Sequence, residues 1–500
     1  MRHRWPRTGG CERRIACAFG VALLVAASIA AARPGSGQSY SGGSRSSGGG
    51  GGGGDGGALA QLIIWLLFQQ PMIGIPIVVV VIIVLIVKST SKSKAQGWST
   101  TSSEADTKPP FQPSSGVPRI ALDEIRAIDP GFSVVLFEDF VYMLYAAIQR
   151  ARATGMQSIA AYITPELAQS LECPTLKDVH GIIIGAMRTL HFSGIRGATV
   201  EVEVEIEANF EEQPQTGPER RFYVVDRLVL TRSASARSRP IERAQTLDCP
   251  NCGAPLEAVR GTQCSYCHED VGSGRFDWMI RHFANVKAEP RGPLLTSNVA
   301  EQGTDLRTIV DSGALVRYQE LEQRDPALTW DAIQARVAHV FAELQIAWSG
   351  RDAKRIRPYV SDNLFQSMVY WIDLYTLQRC RNVTDNARIL RIELANILGD
   401  MHYDAVTVRL YATGLDYTVS DDGRILSGSY SRPRAYSEYW TLIRSTHRKG
   451  TTRGNENCPN CQAPLKVGMT GNCEYCRVKV TSGDFDWVLS RIEQDEAYTG

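Results

Sequence analysis

Eight of the twelve cysteines in this 500-residue chain fall into two matching frames. The first is Cys249, Cys252, Cys264 and Cys267, and the second is Cys458, Cys461, Cys473 and Cys476. Each frame reads Cys-Pro-Asn-Cys and then, after the same spacer, Cys-x-Tyr-Cys. A Cys-x-x-Cys turn can put two thiolates on one ion, and a second such turn completes a tetrahedral shell of the kind Zn²⁺ takes. Four thiolates leave no position for water. The expected chemistry is therefore two structural Zn²⁺ ions per chain, with no catalytic metal. Pairs of disulfides would use the same cysteines but would explain neither the paired knuckles nor their recurrence.

The recurrence extends beyond the cysteines. Val271, Ser273, Gly274, Phe276, Asp277 and Trp278 return as Val480, Ser482, Gly483, Phe485, Asp486 and Trp487. Upstream, Asp129-Pro130 returns as Asp325-Pro326, Tyr162 as Tyr359 and Leu167 as Leu364, at a slightly smaller offset. The chain therefore contains a tandem pair of domains of about 170 residues, each large enough for its own core. The boundaries read as 119–285 with a zinc ribbon at 247–271, a linker at 286–318, and 319–492 with a ribbon at 456–480.

Composition narrows the partners. Lys and Arg total 54 against 53 Asp and Glu, so the global basic excess of a nucleic-acid binder is absent. A zinc-ribbon contact with nucleic acid is the weakest alternative, since Glu257, Glu269, Asp270 and Glu474 lie in the ribbons. No nucleic acid is expected among the partners. Cys173 and Cys380 read as small core residues. Zinc thiolates suit a reducing compartment.

The first 118 residues concern address and anchoring. Arg2, Arg4, Arg7, Arg13 and Arg14 precede an apolar run from Ile15 that ends in small residues, so 1–32 reads as a signal peptide. Residues 33–60 are rich in Gly and Ser and are expected to be disordered. Residues 62–87 read as a transmembrane helix, because Met72 to Val87 are continuously apolar. Lys88, Lys92 and Lys94 follow directly, and no Lys or Arg lies between Arg45 and Lys88. The positive-inside rule then puts everything after the helix in the cytoplasm. The expected location is a bacterial cytoplasmic (inner) membrane, single-pass after signal cleavage, with residues 88–118 as a flexible tether.

Both repeats show helices followed by strands. Phe137, Phe140, Val141, Leu144, Tyr145 and Ile148 lie at helical spacing, as do Ile333, Val337, Val340, Phe341, Leu344 and Trp348 in the second copy. Thr164-Pro165 and Ser361-Asp362 open second helices. Val200, Val202, Val204 and Ile206 alternate with Glu201, Glu203, Glu205 and Glu207, as in a strand with one apolar face. Further strands read as Phe222–Thr231 and Tyr436–Arg444. Phe485 to Leu489 reads as a strand leaving the second ribbon, which would place each ribbon between the last two strands of its sheet.

This pattern resembles bacterial membrane-anchored proteins with a Tim-forty-four-like domain. In the second copy the resemblance rests on Ala335–Trp348, Ala353–Phe365, Ser437–Ile443 and Asp486–Leu489, and in the first on Tyr145–Leu171. It implies an α+β fold of two tandem cone-shaped domains of the nuclear-transport-factor-two-like class, each with helices on a curved antiparallel sheet. The four-Cys ribbons would be insertions. It also implies peripheral contact with membrane lipids and an unidentified protein partner. The tandem arrangement and the ribbons depart from the mitochondrial import-motor anchor that gives the family its name.

The expectation for function is a membrane-tethered, non-enzymatic binding or adaptor protein. An enzymatic or small-molecule pocket inside the cone is the main alternative, with Asp373, Tyr370 and Tyr375 as its residues. His180, His191, His339 and His402 are scattered and read as surface or core residues. Basic residues cluster ahead of each ribbon: Arg232, Arg237, Arg239 and Arg243, then Arg444, Arg448 and Lys449. These are the candidate contacts with anionic lipid head groups.

Overall fold

The computed structural model describes Gln38–Ser39 and residues 122–500 except 245, 291–293, 296–303, 453–456, 496–497 and 499. All of these belong to one compact unit. The expected signal peptide, transmembrane helix and tether, and most of the Gly/Ser segment, lie outside the described residues. Gln38–Ser39 form a short antiparallel ladder with Leu294–Leu295. Among the described residues, no helix is long and apolar enough to cross a membrane.

The first repeat begins with helix α1 (Val134–Thr154). Ser133 is extended and accepts the Leu136 N–H on its hydroxyl, and Gly155 closes the helix at φ 108. Helix α2 (Pro165–Leu171) has Thr164 as its cap and proline in its first turn. Four strands follow: β1 (Leu176–Ser193), β2 (Thr199–Pro214), β3 (Arg220–Ser233) and β4 (Met279–Glu289). They form an antiparallel sheet in sequence order. Val200, Val202, Val204 and Ile206 are fully buried in one core with Phe140, Leu144 and Tyr145 of α1. The glutamate face of β2 is also committed. Glu205 pairs with Arg188 at 2.9 Å and with Arg227 at 3.0 Å.

The second repeat follows the same plan. Helix α3 (Ala314–Arg324) leads into α4 (Trp330–Gly350) and α5 (Asp362–Leu377). Thr329 and Ser361 cap the two longer helices. Its antiparallel sheet contains β5 (Cys380–Gly399), β6 (Tyr403–Ser420), β7 (Ile425–Ser445) and β8 (Val488–Gln494), again paired in sequence order. The two copies even share a minor detail. The residue before the second helix's cap bridges the last strand in parallel, Ile163 to Ile280 and Val360 to Leu489.

Each ribbon lies between the third and fourth strands, as expected. The exit strand starts later than the sequence suggests, at Met279 and Val488. The reason is local. Asp277 and Asp486 each accept the N–H of the following tryptophan at 2.8 Å, so that N–H cannot join the ladder. The domain limits also move. Arg409 is buried and donates to the Leu306 carbonyl at 2.8 Å and to Asp495 at 3.0 Å. Tyr498 stacks on Tyr439 with ring centroids 3.8 Å apart. Part of the expected 286–318 linker and the tail past 492 therefore belong to the second repeat, because a buried guanidinium must be satisfied.

The repeats meet along α1. Val135 and Leu136, on the side facing away from the first core, pack with Tyr403, Ala405, Ile443 and Val488 of the second sheet. Asn363 donates to Asp139 at 2.7 Å, and Arg491 pairs with Glu138 at 3.1 Å.

One buried ion pair recurs in both copies. Arg232 pairs with Asp129 at 2.9 Å and sits 4.8 Å from the Trp278 ring. Arg444 pairs with Asp325 at 2.9 Å and sits 4.6 Å from the Trp487 ring. Asp325→Ala leaves the Arg444 charge buried without its partner. It should cost about 3–5 kcal/mol, read by chemical denaturation of residues 119–500. Combining it with Arg444→Met should recover part of that loss. A cost below about 1 kcal/mol for the single change, the size of a surface pair, would contradict this account.

Candidate metal centres

In each frame the structure brings the four sulfurs within 4.8 Å of one another. Cys249 and Cys267 Sγ are 3.9 Å apart, and Cys252 and Cys264 Sγ are 3.8 Å apart. The second cluster repeats this, with 3.8 Å for Cys458–Cys476 and 3.9 Å for Cys461–Cys473. A disulfide would need about 2.05 Å. A tetrahedron with Zn–S bonds of about 2.3 Å has edges of about 3.8 Å, so the donor set fits a tetrathiolate zinc site.

The local fold explains why the sulfurs converge. Within each Cys-x-x-Cys, the residue after the second cysteine turns back and donates its N–H to the carbonyl of the first. Gly253 bonds Cys249 at 2.9 Å, His268 bonds Cys264 at 2.8 Å, and Gln462 and Arg477 bond Cys458 and Cys473 at 2.9 Å. All four turning residues have positive φ: 82, 59, 61 and 66 in that order. Only the first is glycine, so three knuckles carry a strained side-chain-bearing residue. In the first ribbon the glycine also leaves room for a neighbouring side chain. A Cβ at Gly253 would come within 2.9 Å of the Arg243 guanidinium.

The thiols are not equivalent. Burial pushes Cys249 up to about 12. A hydrogen bond from Asn460 draws Cys476 down to about 6, and the Glu269 backbone draws Cys267 down to about 7. Each cluster thus contains a sulfur already disposed to be a thiolate. A bound cation would have to displace protons from the others, so metal retention should weaken with acid.

The two ribbons dock differently. Cys249 and Cys264 belong to the main core of the first repeat, together with Val259 and Val271. Tyr162 donates to the Asp248 carbonyl at 2.5 Å, and Gln157 donates to the Val259 carbonyl at 2.9 Å. The second ribbon has a small core of its own around Cys458, Val467, Cys473 and Val480. Its anchors are polar. Arg357 donates to the Met469 carbonyl at 2.9 Å, and Lys479 pairs with Asp362 at 2.5 Å.

The basic loops ahead of the ribbons prove to be largely structural. Arg232 and Arg444 are buried in the ion pairs described above and cannot reach a membrane surface. Arg239 joins Asp248 and Asp277, both at 2.8 Å, and Arg243 reaches Asp248 at 3.2 Å. Arg448 donates to the Phe485 carbonyl at 2.8 Å. Arg237 and Lys449 remain exposed. These arginines are there because a ribbon inserted between two strands leaves carbonyls and aspartates that need donors. Asp277 and Asp486 are mostly buried for the same reason.

The residues suggested for an enzymatic pocket do not converge. Asp373 is exposed, Tyr375 is buried edge-on against Trp348, and Tyr370 donates to Glu211 of the first repeat at 3.4 Å. The sequence did hold a signal for the Asp–Arg–Trp clusters, since Asp129 and Trp278 both recur. Which arginine completes them is visible only in three dimensions.

Residues 316–454 match the family model described as Tim44-like domain. The match spans the helices and first three strands of the second repeat and stops just before its ribbon. The chain therefore carries a Tim44-like domain at these residues. Among solved structures, the chain is similar to an "Ntf2 like protein involved in plasmid conjugation". That similarity is at 10% identity, covering 67% of this chain and 84% of that one, with a TM-score of 0.14, too low to support an argument. No curated protein matches the chain.

Elemental analysis should find two zinc ions per chain. The different docking predicts unequal consequences when they are lost. Cys264→Ser should destabilise the whole first repeat, whereas Cys473→Ser should unfold little beyond its own ribbon, as read by hydrogen exchange. Gln462→Gly should relieve about 1 kcal/mol of left-handed strain and raise the melting temperature of the second ribbon. Fewer than one metal per chain, or equal exchange in the two Cys→Ser variants, would refute this picture.

Proposed function

We propose that this chain is a membrane-tethered, non-enzymatic adaptor whose second repeat is the binding module. It would be held at a bacterial inner membrane with both repeats in the cytoplasm. There it would contact anionic lipid head groups and a protein partner, in protein transport or membrane organisation. Zinc in the ribbons would be structural.

One observation carries this reading, and the duplication supplies its control. Scattered exposed apolar residues are normal on any protein. Here, however, two copies of one fold can be compared. Among the described residues, the first repeat exposes two large apolar side chains, Tyr266 and Val286. The second exposes Leu306, Leu315, Val316, Ile346, Leu377, Leu390, Met401, Ile425, Tyr430, Met469 and Tyr475. Three of these, Leu390, Ile425 and Tyr430, lie in the far half of the second sheet, beyond the pairing of β8. Arg381, Arg388, Arg391, Arg424 and Arg432 are exposed in the same half. Apolar side chains among arginines suit the head-group region of an anionic bilayer, where each basic residue adds about 1 kcal/mol that salt screens.

The test is sedimentation of residues 119–500 with vesicles. Binding should occur with anionic vesicles at low salt and be lost at high salt. Arg388→Ala with Arg432→Ala should weaken it about tenfold, whereas Arg237→Ala should change it little. Tyr430→Ser should weaken it without altering the melting temperature, because the side chain is 66% exposed. Equal binding to neutral vesicles, or no effect of the arginine changes, would sink the lipid arm of the proposal.

A further inference from the structure

Outside the ribbons, one other set of metal-ligating atoms converges among the described residues. His180 on β1, Glu211 on β2 and Glu219 just ahead of β3 each bring one ligand atom within 4.8 Å of the others. His180 Nε2 lies 3.3 Å from Glu211 Oε2 and 3.2 Å from Glu219 Oε2. On the other side of the ring, Nδ1 lies 3.1 Å from Asp178 Oδ2. The sheet produces this meeting, because His180 stands opposite Glu211 in the β1–β2 register, and Glu211 stands opposite Arg221 in the β2–β3 register.

The second oxygen of Glu211 is already engaged. Arg221 Nε reaches Oε1 at 3.0 Å, and the Tyr370 hydroxyl donates to it at 3.4 Å. Glu211 is therefore held from behind while Oε2 faces the imidazole. A neutral imidazole has a single N–H. If that N–H lies on Nδ1, Nε2 presents a lone pair to two carboxylate oxygens, an arrangement that a shared cation, or a second proton on the ring, would hold together. A carboxylate behind Nδ1 is also the usual device for orienting a metal-bound histidine. The separations of 3.2 and 3.3 Å are the ligand–ligand edges expected for metal bonds of about 2.0–2.1 Å to nitrogen and oxygen. The cysteine clusters satisfy the same geometric relation with longer thiolate edges.

We propose that His180, Glu211 and Glu219 bind a divalent cation through one imidazole nitrogen and two carboxylate oxygens, with Asp178 orienting the ring. The site differs in kind from the ribbons. Its donors are nitrogen and oxygen, and the His180 side chain is 43% exposed, so water can complete the coordination shell. It joins the ends of three strands in the first sheet and, through Glu211 and Tyr370, reaches α5 of the second repeat. This inference does not rest on the adaptor proposal.

The experiment uses full-length protein in detergent with its cysteine clusters loaded with zinc. It is dialysed against Zn²⁺ for elemental analysis and, separately, titrated with Mn²⁺ and followed by electron paramagnetic resonance. Manganese reports a nitrogen–oxygen site because thiolates bind it poorly. The expected result is one saturable site beyond the two cysteine clusters, seen with at least one of the two ions. His180→Gln and Glu219→Gln should each weaken that site at least tenfold without reducing cluster zinc. Asp178→Asn, which touches only the far ring nitrogen, should weaken it about tenfold. No additional site with either ion would overturn the proposal, as would an additional site that both Gln variants leave unchanged.

Discussion

The architecture of each repeat depends on one buried carboxylate. Asp129 sits in the turn ahead of α1 and accepts from Arg232 at the end of β3 and from the Ser238 backbone in the loop beyond. Asp325 does the same with Arg444 and the Gly450 backbone. Three segments distant in sequence are thereby pinned together: the entry to the helix, the last turn of the third strand, and the path into the ribbon. The tryptophan that leaves the ribbon covers the guanidinium. A pair this deeply buried is weak evidence for stability, since two hydrophobic residues could fill the same space. What it supplies is direction. A carboxylate that must be satisfied by an arginine and a backbone N–H accepts only one arrangement of the three segments. The ribbon's position follows from that arrangement.

The ribbon solves a related problem. A long excursion between two adjacent strands would leave a loop without a core of its own. Four thiolates on one ion can supply that core in place of a hydrophobic cluster, and small domains commonly need such a staple. The two copies use it differently. The first ribbon lends two of its cysteines to the main core, whereas the second keeps a separate cluster and attaches through Arg357 and Lys479. Since the strand-closing bonds are the same, Ser233 to the Gly274 carbonyl and Ser445 to the Gly483 carbonyl, the sheet does not register the difference.

Much of this was legible in the chain. The cysteine spacing located both clusters, and Thr164 and Ser361 cap their helices as their residue types predict. The alternation in β2 picked out its buried face. Two things were hidden, and for one reason. Arginine in a loop reads as a solvated charge unless its partner is known, and the partners of Arg232 and Arg444 lie about a hundred residues or more upstream. Likewise, the glutamates of β2 read as a wet face, but cross-strand arginines and the neighbouring repeat cover them. Sequence periodicity reports which face is apolar; it does not report whether the opposite face meets water. His180 was lost the same way, because its ligand-like neighbours come from other strands.

A duplicated fold allows structure and function to be separated within a single chain. Whatever both copies keep in the same place is what the fold requires: the Asp–Arg–Trp cluster, the four left-handed knuckle turns, and the bridge from the second helix to the last strand. Whatever differs is free to serve function. The ribbons differ in charge: the first holds Asp248, Glu257, Glu269 and Asp270 against Arg260, while the second holds Lys466, Arg477 and Lys479 against Glu456 and Glu474. The two copies differ in what they expose, and among the described residues most of the exposed large apolar side chains belong to the second. The first copy instead spends its polar face on internal ion pairs and on the His180 cluster. A division of labour follows from these differences. The first repeat supports α1, against which the second sheet packs, and on the proposal above the contact surface belongs to the second repeat.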